Sequence, residues 1–260
     1  MKIKLFPALQ YLIYFLKKED RHALQSPYAY LIYQGLKDYR FRYKEGIPEI
    51  EALRRGFLQD SRLIRINDLG AGSLRFSSPE RKVADIAQYS CSSKKYNLLY
   101  QYFCGLTPAF TVIELGTCLG INTCYLSEMV QGSLYSFEGA EELITIAQGH
   151  LRARKKIKLI AGDISETLPT FLQDHLTVDF AFVDANHTYQ HTLSYVKQIM
   201  KKIHPASVII IGDIHWSKAM HRAWNEIRGM EEVRMSLDFH ECGVLLFKEG
   251  LGKQHYVLSY

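Results

Sequence analysis

The chain lacks the features that mark several large protein classes. Its five cysteines, Cys91, Cys104, Cys118, Cys124 and Cys242, form an odd set with no C-x-x-C pair. That pattern argues against a disulfide framework or a cysteine zinc site and for free thiols in a reducing compartment. No apolar run is long enough to span a bilayer. The opening stretch MKIKLFPALQYLIYFLKKED imitates a secretory leader, but Pro7, Gln10 and tyrosines interrupt it and no small-residue cleavage site follows. Leu9, Leu12, Ile13 and Leu16 recur there at helical spacing, which predicts a packed amphipathic helix. A cytoplasmic protein with no membrane partner is the expectation. Internal repeats, low-complexity tracts and the G-x-G-x-x-G spacing of dinucleotide folds are also missing.

What is present is uneven. Residues 1–110 hold 18 Lys/Arg against 10 Asp/Glu, whereas residues 111–260 hold 14 against 17. The asymmetry marks a boundary near Pro108, giving a segment 1–108 and a domain 109–260. The basic charges are dispersed, with no Lys/Arg run above two residues in that first part, so a solvated surface is the favoured reading over a nucleic-acid platform. Before the boundary the pattern is mainly helical, with a stripe at Tyr96, Leu99, Tyr100 and Phe103. After it, strand-like runs at 110–116, 133–139, 156–163, 178–185 and 207–213 alternate with helical stretches, and two further runs at 232–239 and 242–248 have no helix between them. This rhythm predicts an α/β, Rossmann-like, mostly parallel sheet of seven strands that ends in an antiparallel hairpin.

In such a sheet a ligand sits at the carboxyl ends of the strands. The five parallel strands all end in acids: Glu114, Glu138, Asp163, Asp184 and Asp213. After Glu114 come Gly116, Thr117, Gly120 and Asn122, a glycine turn that lets backbone approach a ligand. Glu138, followed by Gly139, is placed to accept both hydroxyls of a ribose. Asp163 and Ile164 suit an adenine amino group and ring face. Each acid taken singly could merely cap the next helix; five in register point to a nucleoside-type cofactor. A second glycine turn, INDLGAGS at 66–73, has no ribose acid after it. It reads as a tight turn around Gly70 and Gly72, or as part of a lid together with HALQSPYAY.

Residues 105–250 resemble the class I S-adenosylmethionine-dependent methyltransferases, and within them the small-molecule O-methyltransferase branch. The resemblance rests on IELGTCLG, on Glu138, and on the stretches AGDISETLP, VDFAFVDANH and ASVIIIGDIHW. RHALQSPYAY and DLGAGS in the N-terminal part, together with DIHWSKAMHRAWNEI at 213–227, are similar to stretches of a Bacteroidetes-type group of methyltransferases without an assigned substrate. The resemblance implies S-adenosyl-L-methionine as cofactor, held by Glu114, Gly116, Thr117, Gly120, Asn122, Glu138, Gly139, Asp163, Ile164 and Asp184. It implies transfer of the methyl group to a small-molecule hydroxyl. An RNA methyltransferase and a non-catalytic nucleotide-binding protein are the alternatives. The first would want an Asn-Pro-Pro-Tyr-type motif or an RNA-binding module, and neither is found.

The acceptor base is expected among Asp213, His215 and His187, at the mouth of the cleft. In some members of the branch Asp, Asp and Asn hold a divalent ion. Here Asp184 and Asp213 match the first two, but Ile214 takes the third place and has no ligand atom, so no metal is expected. Segment 1–108 is expected to serve as lid, substrate-recognition element or homodimer contact.

Overall fold

The computed structural model describes residues 5–66 and 78–260. The DLGAGS copy, with Asp68, Gly70 and Gly72, lies outside the described residues. The chain opens with helices α1 (Leu5–Lys17), α2 (Pro27–Arg42) and α3 (Pro48–Leu58). The Ser26 hydroxyl caps α2 by accepting from the Ala29 amide, and Pro27 sits where a missing N–H costs nothing. A short antiparallel pair, β1 (Leu63–Arg65) and β2 (Glu80–Lys82), leads to α4 (Val83–Tyr89) and α5 (Lys94–Gly105).

From there strand and helix alternate as the sequence predicts. The order is β3 (Thr111–Leu115), α6 (Ile121–Ser127), β4 (Ser133–Glu138), α7 (Glu141–Leu151), β5 (Ile157–Ala161), α8 (Ile164–Asp174), β6 (Phe180–Val183), α9 (Tyr189–Met200), β7 (Val208–Gly212) and α10 (Lys218–Arg228). The hairpin strands β8 (Met235–Asp238) and β9 (Cys242–Leu246) follow, and then β10 (Gln254–Val257).

Among the described residues the main sheet has eight strands, one more than expected, in the order β10-β8-β9-β7-β6-β3-β4-β5. Strands β3 to β7 pair in parallel, β9 runs antiparallel to both β7 and β8, and β10 adds in parallel to β8. Both faces are covered, so the central strands carry apolar residues on both faces, as in the VIIIG of β7 and the FAFV of β6. Val112, Phe180, Phe182 and Ile210 point to one core with α2 and α5, while Ile113, Ala181, Val183, Ile209 and Ile211 point to another with α8, α9 and α10. The stripe on α10, Met220, Ala223, Trp224 and Ile227, is fully buried in the second core. Because Tyr96, Leu99, Tyr100 and Phe103 of α5 lie in the first, the chain on either side of Pro108 shares one hydrophobic core.

Two features depart from the sequence reading. Helix α1 forms where expected, but Leu9, Leu12 and Leu16 face solvent and only Gln10 is buried. The helix docks instead through Tyr14, whose hydroxyl donates to the Leu258 carbonyl at 2.8 Å. The reason is the second departure, the strand β10. Its sequence, QHYV, is too short and too polar to announce a strand. It pairs because Gln254 and Leu258 donate backbone bonds to Arg234 and Asp238, at 2.9 and 2.8 Å. Glu19 then bonds both Val257 (2.7 Å) and Ser259 (3.0 Å), while the Tyr33 and Ser259 hydroxyls meet at 2.8 Å. Leu258 is fully buried at this junction. Leu258→Ala should lower the unfolding free energy by about 2–5 kcal/mol, the range for buried leucines; urea denaturation measures it, and a loss under about 1 kcal/mol would show that the tail is not part of the cooperative fold.

Candidate functional site

Strand β3 has β4 on one side and β6 on the other, so the chain order reverses here and a crevice opens beyond the strand ends. The loop after β3 forms one wall. Gly116 adopts φ +101°, and a Cβ there would lie 2.6 Å from the Asp184 carbonyl oxygen, so only glycine lets the two loops pass. Gly120, also at positive φ, starts α6.

Glu114 does not face this crevice. It is fully buried, and its carboxylate accepts from Asn122 (2.7 Å), Thr123 (2.6 Å) and Ser136 (2.6 Å). Thr117 is turned inward as well, its hydroxyl 2.5 Å from that of Ser136. Glu114, Thr117 and Asn122, expected to touch the cofactor, instead hold the glycine loop from beneath. The polar residues that complete this knot, Thr123 and Ser136, escaped the sequence reading. Ser136 stands in register opposite Glu114 on the neighbouring strand, a small polar residue between the rings of Tyr135 and Phe137, and that was the available signal.

Glu138 is different. It is half-buried at the tip of β4, and three amides fix its carboxylate: Cys118 on Oε2 at 2.8 Å, and Gly139 and Ala140 on Oε1 at 3.0 Å each. Held this way it is fixed in one orientation and loses little entropy on binding. At the tip of β5, Asp163 caps α8, its Oδ1 accepting from Ser165 at 2.7 Å. Ile164 is 5% exposed and packs into the core beside Leu168 and Phe171, so it is not available as a ring platform.

The other wall carries Asp184, His187 and Asp213, from the ends of β6 and β7. One ligand-type atom from each lies within 4.8 Å of the other two. The His187 Nδ1 is 3.8 Å from an Asp213 carboxylate oxygen and has no hydrogen-bond partner. Gly212 makes the arrangement possible, since any Cβ there would overlap the Asp184 carboxylate. Asn186, His187 and Asp213 all adopt positive φ, and so does Cys118 across the crevice. Non-glycine residues in that region store strain, which collects at functional sites. Ile214 is fully buried and supplies nothing. Asp184, Asp213 and the His187 nitrogen could together hold an ion, and an oxygen–oxygen–nitrogen set of this kind suits a divalent transition metal.

His215 is not at the mouth of the cleft. It is 7% exposed, with Nε2 2.7 Å from Asp238 Oδ2 and Nδ1 3.1 Å from His221 Nδ1. With both nitrogens engaged it has none left for an acceptor. Its ring stacks on His240 at 5.5 Å between centroids, and the Trp216 indole lies 5.8 Å from the His187 ring. Of the three expected bases, His187 and Asp213 remain.

Burial pushes the Glu114 carboxyl up to about 7, although its three hydrogen bonds pull the other way. Burial likewise raises Asp184 to about 6, with His187 opposing and Asp213 adding to the shift. A folded-state pKa above the unfolded one favours the protonated form on folding. The stabilisation from these protons is complete in acid and is lost as pH rises, from 3.8 to about 6 for Asp184 and from 4.5 to about 7 for Glu114. Glu114→Gln removes the larger part of that slope. Between pH 5 and 8 the variant should gain on wild type by on the order of 2–3 kcal/mol in urea denaturation; parallel pH profiles would show that Glu114 ionises normally in the fold.

Comparison with known proteins agrees with this geometry. Residues 113–214 match the family described as "Methyltransferase domain". A curated relative, the protein-L-isoaspartate O-methyltransferase of Pyrococcus horikoshii, is 28% identical over 127 residues, 48% of this chain and 56% of that protein. The chain thus spans about half the length of the curated relative it matches. Among solved structures, the Streptomyces achromogenes O-methyltransferase TomG, involved in tomaymycin synthesis and solved with S-adenosylmethionine, aligns over 61% of this chain and 82% of its own, at 18% identity and a TM-score of 0.52. A Podospora anserina methyltransferase bound to S-adenosylhomocysteine covers 83% of this chain and 96% of its own, at 14% identity and a TM-score of 0.58. Residues 113–214 thus match a methyltransferase domain, and the sheet that holds them has the Rossmann-like methyltransferase fold.

Proposed function

We propose that this protein transfers the methyl group of S-adenosylmethionine to a hydroxyl of a small molecule. The observation that carries the reading is the Glu138 carboxylate, fixed by three amides across the crevice from the Asp184–His187–Asp213 group. The match of residues 113–214 to a methyltransferase domain supports the reaction class, and the O-methyltransferases among the structural neighbours support an oxygen acceptor.

In this reading Glu138 accepts the two ribose hydroxyls. The Gly116–Gly120 loop lets the backbone lie against the nucleoside, and Asp163 uses the carboxylate oxygen not taken by Ser165 to receive the adenine amino group. The sulfonium carbon needs no activation, so the protein's work is alignment, an effect that can reach about 7–11 kcal/mol. The acceptor oxygen must meet the methyl in line with the departing sulfur. A hydroxyl also has to lose its proton, and His187 Nδ1, beside the Asp213 carboxylate, is the group placed to receive it. If a divalent ion is bound, Asp184, His187 and Asp213 would hold it, and it would supply positive charge to the acceptor oxygen.

Calorimetry should show binding of S-adenosylhomocysteine and none of NAD; the reverse would refute the reading. Loss of a carboxylate bonded to two hydroxyls is worth on the order of 1.5–3 kcal/mol, so Glu138→Ala should weaken S-adenosylhomocysteine binding by about 10- to 100-fold. Asp213→Asn should leave that affinity within a few-fold of wild type. A screen of phenolic and catecholic metabolites, isoaspartyl peptides and RNA by S-adenosylhomocysteine release identifies the acceptor. With it, Asp213→Asn should lower kcat by about 100-fold; an unchanged kcat would remove Asp213 from the acceptor site.

A further inference from the structure

Two thiols border the crevice and take no part in methyl transfer. The Cys91 and Cys118 sulfurs are 3.8 Å apart. Cys118 lies inside the glycine loop at φ +50°, and its amide is one of the three that fix Glu138. Cys91 follows the last turn of α4, and the next residue but one upstream of α5, Ser92, accepts from Arg54 of α3 through its carbonyl at 2.9 Å. The pair therefore spans the seam between the helical N-terminal layer and the loop that frames the cofactor site. Both cysteines are half-buried, whereas Cys104, Cys124 and Cys242 are buried without a thiol neighbour and have their thiols pushed up by burial.

The two members of the pair are also chemically unequal. The Cys118 S–H bonds Cys91 and holds its thiol below the ordinary value in spite of burial, with the Arg54 charge and the Leu119 amide adding to the effect. Cys118 is pushed up by the same bond and by burial. A half-buried, thiolate-favouring cysteine 3.8 Å from a second thiol is the arrangement of a reactive and a resolving cysteine.

We propose that Cys91 and Cys118 form a reversible dithiol–disulfide site at which a hydroperoxide switches the cofactor loop between a binding and a weakened state. The Cys91 thiolate attacks the distal peroxide oxygen, the O–O bond breaks, and the alkoxide or hydroxide leaves with a proton, giving a sulfenic acid at Cys91. Cys118, passing its proton to the departing hydroxide, attacks the Cys91 sulfur and releases water. In total two thiols and one hydroperoxide give one disulfide, one alcohol and one water. When the oxidant is hydrogen peroxide the alcohol is a second water. A disulfide requires an S–S distance of about 2.05 Å, so the sulfurs close by roughly 1.8 Å. Because the Cys118 amide is bonded to Glu138, that movement draws the donor off the ribose-binding carboxylate and tilts the loop that follows Gly116. The consequence for binding rests on the cofactor reading above; the disulfide itself does not.

The test oxidises the full-length protein with stoichiometric hydrogen peroxide, with and without bound S-adenosylhomocysteine. Peptide mapping should find Cys91 linked to Cys118, and dithiothreitol should restore both free thiols. S-adenosylhomocysteine affinity should fall by on the order of tenfold in the oxidised protein and recover on reduction. By reciprocity, saturating S-adenosylhomocysteine should make the disulfide easier to reduce by about 30 mV. Cys91→Ser should bind S-adenosylhomocysteine as reduced wild type does, before and after peroxide. Oxidation of Cys91 to sulfinic acid with no linked peptide would overturn the proposal, as would an equal loss of affinity in peroxide-treated Cys91→Ser. If reduced wild type binds no S-adenosylhomocysteine, the cofactor reading fails, and the linked peptide alone decides whether the dithiol site exists.

Discussion

A carboxylate that never meets solvent organises the crevice. Glu114 sits at the end of β3 with donors from α6 and β4 converging on it: Asn122, Thr123 and Ser136. A buried acid with empty lone pairs would cost several kcal/mol, so the elements that supply its donors are held to one geometry. Thr117 joins the same knot through Ser136. The glycine loop is tied down from below in this way, which lets its upper surface present amides to Glu138.

The strained backbone collects around the same crevice. Cys118, Asn186, His187 and Asp213 all hold positive φ at the ends of β3, β6 and β7. Four such residues around one crevice need surroundings that over-determine them. Some of the hydrogen bonds doing so are visible. The Asp213 amide donates to Glu241 on the hairpin turn at 2.6 Å, the Trp216 amide donates back to Asp213 at 3.0 Å, and Asn186 donates to Tyr195 of α9 at 2.8 Å. The polar tips of the strands can depart from favoured backbone because the apolar strands behind them are packed on both faces.

The sequence made the strand order of events legible because periodicity reports burial directly: the runs ending at Glu114, Glu138, Asp163, Asp184 and Asp213 are the five parallel strands. Their acids were harder to sort. A carboxylate at a strand tip has one appearance in a sequence, yet Glu114 turned inward, Asp163 became a helix cap and Glu138 alone was cradled by amides. Which of these happens depends on neighbours across the sheet, such as Ser136, that lie far away in the chain. His215 shows the same limit. It follows Asp213 by two residues, but the partner that claims it, Asp238, comes from β8. Apolar spacing misleads in a different way at α1, where a regular stripe at Leu9, Leu12 and Leu16 faces outward because Tyr14 and the tail from Gln254 to Ser259 decide which side docks.

The bridge between Glu19 and Leu258 joins positions separated by almost the whole chain. During synthesis the ribosome delivers α1 and α2 long before the segment that anchors them exists. Until residues 254–258 emerge, β8 has an open edge and Tyr14 has no carbonyl to bond. Closing a loop of that length adds only modestly to the entropic cost, since the cost grows with the logarithm of length, but contacts of such high sequence separation slow folding. The nascent chain is therefore expected to carry a formed central sheet with its first helix still undocked, and to complete its outer layer only once residues 254–258 have emerged.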